Sequence, residues 1–305
     1  MKITIIGATG AIGAPTAFYL AVRALADEIV MIGGKRQNVL RQHVMDISTA
    51  VSNQGVMVRA GTYEDMEGSQ IIINAAGAHV DGAAGRTAML TENIPFIKEL
   101  ARKIREFCPD SIIITATNPV GPLNYATFLA GRFERRQVIG YSLNDTLRFR
   151  ELVAKAFGIK VDRVEGCVIG EHGPTQVLLF SSVLIDGSPV SIEDKVKADI
   201  RAEAPDIIRQ FQALGVNRTA GWTCAVGLGS FVRAIVTDSG DMLPCSLVLD
   251  GEYGQKGLSM TVPARIGRQG VKEIIEQDLA PDEKEGLKIS IDKLKAEMRI
   301  VEELI

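Results

Sequence analysis

The chain is sparing with the residues that most often mark chemistry. Its 305 residues include three histidines, one tryptophan and four cysteines, and aromatic side chains make up 5%. Cys108, Cys167, Cys224 and Cys245 are far apart and form no C-x-x-C, so four reduced thiols in a cytoplasmic protein are expected. The histidines and cysteines show no metal-ligand spacing, and no metal is expected. No apolar run approaches a membrane span, and the early glycines make the N-terminus a strand and turn rather than a signal peptide. Charge is nearly balanced at a net −3, which gives no reason to expect nucleic acid or an anionic membrane as partner. Low-complexity linkers and internal repeats are also missing.

What is present is an ordinary globular composition, 46% hydrophobic and 23% charged, in a chain long enough for two closely joined domains. Short β-branched runs at Lys2–Ile6, Glu28–Ile32, Val56–Ala60, Ile71–Ala75, Ile112–Ala116 and Gln137–Gly140 alternate with helical patterns, clearest at Asn93–Phe107. Such alternation predicts an α/β fold, a Rossmann-type doubly wound parallel sheet, over residues 1–143. From about Asn144 the texture changes. Strand-like Val161–Ile169, Val177–Leu184 and Met260–Arg265 mix with longer helical stretches at Ile192–Leu214 and Cys224–Val236, which predicts an α+β domain over 144–305. A terminal helix should start at Pro281, with Leu287, Ile291, Leu294, Met298 and Val301 on one face.

The first strand runs into GATGAIG, with Gly7, Gly10 and Gly13 ahead of a helix-compatible stretch. That order suits a turn whose amides face a pyrophosphate. The first gap is one residue wider than in G-x-G-x-x-G, a spacing also found in short-chain reductases. Those enzymes need Tyr and Lys four apart on a helix. Here Tyr19, Tyr63, Tyr125, Tyr141 and Tyr253 are followed at that distance by Arg23, Glu67, Leu129, Asp145 and Gly257, so that chemistry is excluded.

Of the histidines, His43 lies in a helical pattern and reads as packing or surface, and His79 lies in a glycine-rich stretch. His172 follows a strand in VIGEHGPT, where an acid–base group is well placed but a turn histidine bonded to local backbone fits equally. NDTLRFR puts Asp145 and Arg148 on one helix face. The carboxylate can orient a histidine and the guanidinium can grip a substrate carboxylate, although a plain surface pair is the simpler alternative.

Taken in order, GATGAIG, the AAGA…GR loop, TATNPV, NDTLRFR and GEHG resemble the lactate/malate dehydrogenase family along essentially the whole chain, most of all archaeal-type members that accept NADP. The resemblance implies that His172 donates and accepts the proton, with Asp145 orienting it. Arg148 would bind the substrate carboxylate, Arg86 would close over the site on a loop, and Asn118 would contact the reacting oxygen and help place the nicotinamide. The dinucleotide is expected at Gly7, Gly10, Ala11, Ile12, Gly13, Gly33, Gly34, Lys35, Arg36, Ala76, Gly77, Asn93 and Asn118. The resemblance also implies a homodimer or homotetramer acting on a small 2-keto or 2-hydroxy acid.

Two departures shape the expected specificity. The second strand ends in Gly33-Gly34-Lys35-Arg36 without the acidic residue that bonds an adenosine ribose, which predicts NADP in preference to NAD, or use of both. Six residues before Arg86, where the family carries Arg for dicarboxylates or Gln for pyruvate, stands Val80, flanked by His79 and Asp81. A 2-keto acid other than oxaloacetate, or relaxed selectivity, is expected. The alternatives are an ordinary NAD-using malate or lactate dehydrogenase and a non-catalytic dinucleotide sensor.

Overall fold

The computed structural model describes residues 1–77, 85–204, 210, 213–215 and 219–305, with the backbone alone at 85–87. The parallel strands β1 (Lys2–Ile6), β2 (Glu28–Ile32), β3 (Met57–Ala60), β4 (Ile71–Asn74), β5 (Ile112–Thr115) and β6 (Val138–Gly140) agree with the sequence pattern to within a residue at either end. β4 and β5 are buried along their whole length, because helices cover both sheet faces and leave no polar side to the alternation. The helices between the strands are α1 (Gly13–Val22), α2 (Gln37–Ala50), α3 (Gly85–Phe107) and α4 (Val120–Gly131), followed by α5 (Leu143–Phe157).

After α5 the chain forms short strands, β7 (Val164–Glu165), β8 (Val168–Ile169), β9 (Val177–Leu178), β10 (Leu184–Ile185) and β11 (Ser188–Pro189). The single strand expected over Val161–Ile169 is thus a 3-10 turn and two pieces. Between the pieces lies Gly166, where an added Cβ would come 3.2 Å from the Phe149 ring. α6 (Asp194–Glu203) occupies the first part of the helical stretch expected from Ile192, and α7 (Gly221–Thr237) surrounds the one expected from Cys224.

Two long strands, β12 (Met242–Asp250) and β13 (Lys256–Gly267), and a shorter one, β14 (Gly270–Ile274), close the sheet. β12 and β14 were not anticipated. Pro244 argues against an interior strand, yet it lies within β12, opposite Pro263 of β13. Among the described residues the main sheet runs β14-β13-β12-β6-β5-β4-β1-β2-β3, with β12 joining β6 antiparallel at Ser246 and Gly140. Residues from both sides of position 144 therefore share one sheet. The chain order reverses between β1 and β4, and a crevice outside the carboxyl ends of these strands is where such sheets take ligands.

The final helix, α8 (Pro281–Leu304), starts with Pro at N1, and Glu283 accepts the Ala280 N–H at 2.9 Å. Its five expected apolar residues are all buried in the largest core cluster, and the helix packs on α4, α3, β13 and β9. A second cluster, built on Ile6, Ile72, Ile113 and the Leu100–Ile104 turn of α3, fills the opposite face of the sheet.

Candidate functional site

The glycine turn closes at the reversal point. Gly7 has φ +81°, and a Cβ there would lie 2.6 Å from Ala75 O and from Ala76 N at the end of β4. At Gly13 a Cβ would meet Gly7 O at 2.5 Å. The Gly10 N–H donates to Gly7 O at 2.9 Å and the Ala14 N–H to Gly10 O at 3.3 Å, Pro15 has no N–H, and no side chain caps α1 at Ile12, so within the first turn of the helix the Gly13 amide is the one placed for an anionic group. Gly77, just past β4, is equally constrained, since a Cβ would lie 2.7 Å from Thr117 and 2.9 Å from Asn93 Oδ1. The Thr117 hydroxyl donates to Ala76 O at 2.6 Å, which ties the bend carrying Asn118 to the same rim. Asn118 itself is exposed and sits three residues beyond the end of β5. These cradles, which admit no side chain, fit a dinucleotide.

Beside the turn, the Arg36 guanidinium donates to Thr9 O at 2.9 Å and to Thr9 Oγ1 at 3.4 Å. Gly33 packs on Thr9 as well, with its missing Cβ 3.0 Å from Thr9 Cγ2. Lys35 is exposed and Gly34 has nothing near its open side. Of the two cations expected there, Arg36 is the one held against the glycine turn.

Across the crevice, Asp145 lies in the first turn of α5 and is buried. Its Oδ2 is 2.5 Å from His172 Nδ1, and its Oδ1 is 3.5 Å from Arg148 Nη1. The i,i+3 spacing in α5 supplies the Arg148 contact, and the loop after β8 brings in His172 from 27 residues away. Arg148 and His172 each keep a partial solvent face, at 13% and 19% exposure, so both can meet a ligand. Behind them the wall is neutral. The Tyr141 hydroxyl donates to Asn144 Oδ1 at 2.6 Å, and Asn144 Nδ2 donates to Cys224 Sγ at 3.2 Å. Burial pushes the Cys224 thiol up, while Asn144 and Arg148 pull it partly back. Burial likewise raises the Tyr141 phenol well above its ordinary value. A protonated wall leaves Asp145 and Arg148 as the charges that set the local field.

Val80, His79 and Asp81 lie outside the described residues, as does the side chain of Arg86, whose backbone starts α3. His43 is half-buried in α2, as expected for a packing residue. Among the described residues no group of acidic, histidine and cysteine side chains could hold a metal ion, and no helix is long and apolar enough to cross a membrane.

Comparison with known proteins adds what geometry cannot. Residues 1–140 match the family model described as lactate/malate dehydrogenase, NAD binding domain, and residues 143–305 match its alpha/beta C-terminal domain. The chain belongs to the lactate/malate dehydrogenase family. It is an oxidoreductase acting on a CH–OH group with a nicotinamide cofactor. It is 32% identical to the malate dehydrogenase of Natronomonas pharaonis over 300 residues, 96% of this chain and 97% of that one. Against the malate dehydrogenase of Geobacillus thermodenitrificans it is 32% identical over 308 residues, 99% of this chain and 98% of the other. Among solved structures, the malate dehydrogenase from Aeropyrum pernix superposes with a TM-score of 0.90 at 28% identity, covering 98% and 97% of the two chains. The lactate dehydrogenase from Cryptosporidium parvum, complexed with lactic acid and nicotinamide adenine dinucleotide, gives 0.93 at 27% identity, covering 99% and 98%.

Sequence reasoning passed over Asn144, Thr117 and Glu171, although each adjoins a residue it chose. Their partners are Tyr141 and Cys224, Ala76, and Lys293. The most distant of these lies 122 residues along the chain, so no spacing could have marked it.

Proposed function

We propose that this dehydrogenase interconverts a small 2-keto acid and its 2-hydroxy acid, with His172 as the acid–base group and NADP(H) as the favoured cofactor. The observation that carries this reading is the shared Asp145 carboxylate, which contacts His172 on one oxygen and Arg148 on the other. The nicotinamide supplies or accepts a hydride at the carbon bearing the oxygen. Asp145 holds His172 by Nδ1, and Nε2 is assigned to give a proton to the forming alkoxide in reduction and to take one in oxidation. Arg148 offers its planar fork to the substrate carboxylate and is itself steadied by Asp145. Arg86 and Asn118 are assigned to the reacting oxygen, the first from the start of α3 rather than from a loop.

NADP(H) preference is supported by the absence of a carboxylate after β2 and by Arg36 lying against Thr9, where a 2′-phosphate would find a cation and no repelling anion. Val80 provides neither charge nor hydrogen bond for a second carboxylate, which favours substrates other than oxaloacetate. A malate dehydrogenase is the second reading, favoured by the names of the relatives above. A matrix of NADPH and NADH against oxaloacetate, pyruvate and longer monocarboxylic 2-keto acids decides among these. Higher kcat/KM with NADPH and with a monocarboxylate is expected; efficient reduction of oxaloacetate by NADH would overturn both preferences.

The exposed stripes Phe18 and Val22 on α1, and Trp222 and Val226 on α7, support assembly with a second copy. The two helices are packed together, with Gly229 against Tyr19, so the stripes adjoin. Light scattering should report a dimer or tetramer. Four buried free thiols fit the reducing cytoplasm.

A further inference from the structure

Glu171, the residue before His172, is 3% exposed although it carries a carboxyl group. Its Oε2 accepts from the Thr175 hydroxyl at 2.6 Å and from the Thr175 N–H at 3.1 Å. Its Oε1 accepts from the Lys293 ammonium of α8, and its main-chain N–H donates to Ser290 Oγ at 2.6 Å. Gly170 closes on the same helix, with φ +88° and an imagined Cβ 2.5 Å from Ser290 Oγ. On its other side Gly170 pairs with Thr261 of β13 through two N–H to carbonyl bonds of 2.9 Å. Ser290 and Lys293 are three residues apart, one turn of α8, so a single face of this helix grips two consecutive residues of the His172 loop.

An anion this deep is costly unless it is paired and hydrogen-bonded, and a pair of this kind is poor evidence for stability as such. What it does provide is a fixed geometry. Asp145 arrives on α5 and His172 on the loop after β8, so the 2.5 Å contact between them depends on how that loop is held. With Glu171 turned into α8, His172 is left facing α5. We propose that Glu171 is a positioning residue for the reaction, and that Lys293 and Ser290 of the final helix hold it so that His172 meets Asp145. This rests on His172 being the acid–base group.

The test uses the full-length protein with NADPH or NADH and whichever of oxaloacetate, pyruvate and 2-ketobutyrate the wild type reduces fastest. Lys293→Met should lower kcat on the order of 10- to 100-fold, the scale of a displacement near 1 Å, while cofactor Kd stays close to that of the wild type. Lys293→Arg should recover most of the loss. In the His172→Asn background the Lys293→Met change should cost little more, because the two act as a unit. Ser290→Ala, which removes only a hydroxyl, should give a smaller loss of the same kind and serves if Lys293→Met fails to fold. Wild-type kcat in Lys293→Met or, failing that variant, in Ser290→Ala overturns the proposal. So does a loss of equal size with and without His172. His172→Asn with wild-type turnover would instead overturn the acid–base reading on which the tether depends.

Discussion

His172 Nδ1 lies 2.5 Å from Asp145 Oδ2, and the other oxygen of that carboxylate faces Arg148. One buried carboxylate thus contacts both an imidazole and a guanidinium, and under the proposed mechanism the three side chains should fail together. His172→Asn is expected to lower kcat by about 10²–10⁴-fold, the usual worth of a positioned acid–base group. Asp145→Asn should lower it too, and the double variant should be hardly worse than His172→Asn alone. Cofactor titration by Trp222 fluorescence should show binding retained in each; loss of binding would point to a broken fold.

Arg148→Lys keeps the charge but gives up the planar fork. Losing a hydrogen bond to a charged group costs about 1.5–3 kcal/mol. The expected signature is a KM for the keto acid raised about tenfold or more, with the cofactor KM unmoved. Steady-state kinetics with each substrate varied in turn checks this.

Arg36 offers the most direct handle on the cofactor. Arg36→Ala should reduce kcat/KM for NADPH about tenfold relative to NADH, again from one lost charge-assisted contact. An equal fall with both cofactors would mean that Arg36 serves only to brace Thr9.

Gly221 opens α7 against the phosphate turn, and a Cβ there would lie 1.9 Å from Ala11 O. The clash is with backbone, which cannot step aside as a flexible side chain can. Gly221→Ala should cost about 1–3 kcal/mol of stability and blunt the rise in Tm expected of the wild type on binding its nicotinamide cofactor. Thermal melts with and without the cofactor measure both effects.

Burial pushes the Cys167 thiol up to about 12, and Tyr125 and Tyr253 are likewise raised to about 12, chiefly by burial. In the unfolded chain these groups lose protons from about pH 9 to 10. Between that pH and about 12 the folded state holds more protons than the unfolded one, so stability falls as pH rises. Tm should therefore be insensitive to these groups below pH 9 and decline above it. Cys167→Ala should make the decline shallower.

Much of this molecule was legible from one dimension. Repeated Ile runs in β1, β4 and β5 have the form that only doubly covered parallel strands need, and the Leu287-to-Val301 stripe has the period of a helix with one buried face. GATGAIG, NDTLRFR and GEHG were visible because their chemistry is packed into a few consecutive residues. β12 contains Pro244, a residue that argues against an interior strand, and its partner Pro263 is 19 residues away along the chain. Glu171 has no marker in the sequence, because the α8 residue that partners it, Lys293, is 122 residues away.

Local pattern by itself determined the six parallel strands, the glycine turn and the helix face shared by Asp145 and Arg148, since each is written in a few neighbouring residues. Tertiary structure alone decided which separate segments meet. It put Arg36 on Thr9, His172 on Asp145, and the final helix beneath the His172 loop. Those meetings are set by the pairing of β1 with β2 and β4 and by the packing of α8, and a distance closed by packing leaves no period in the sequence.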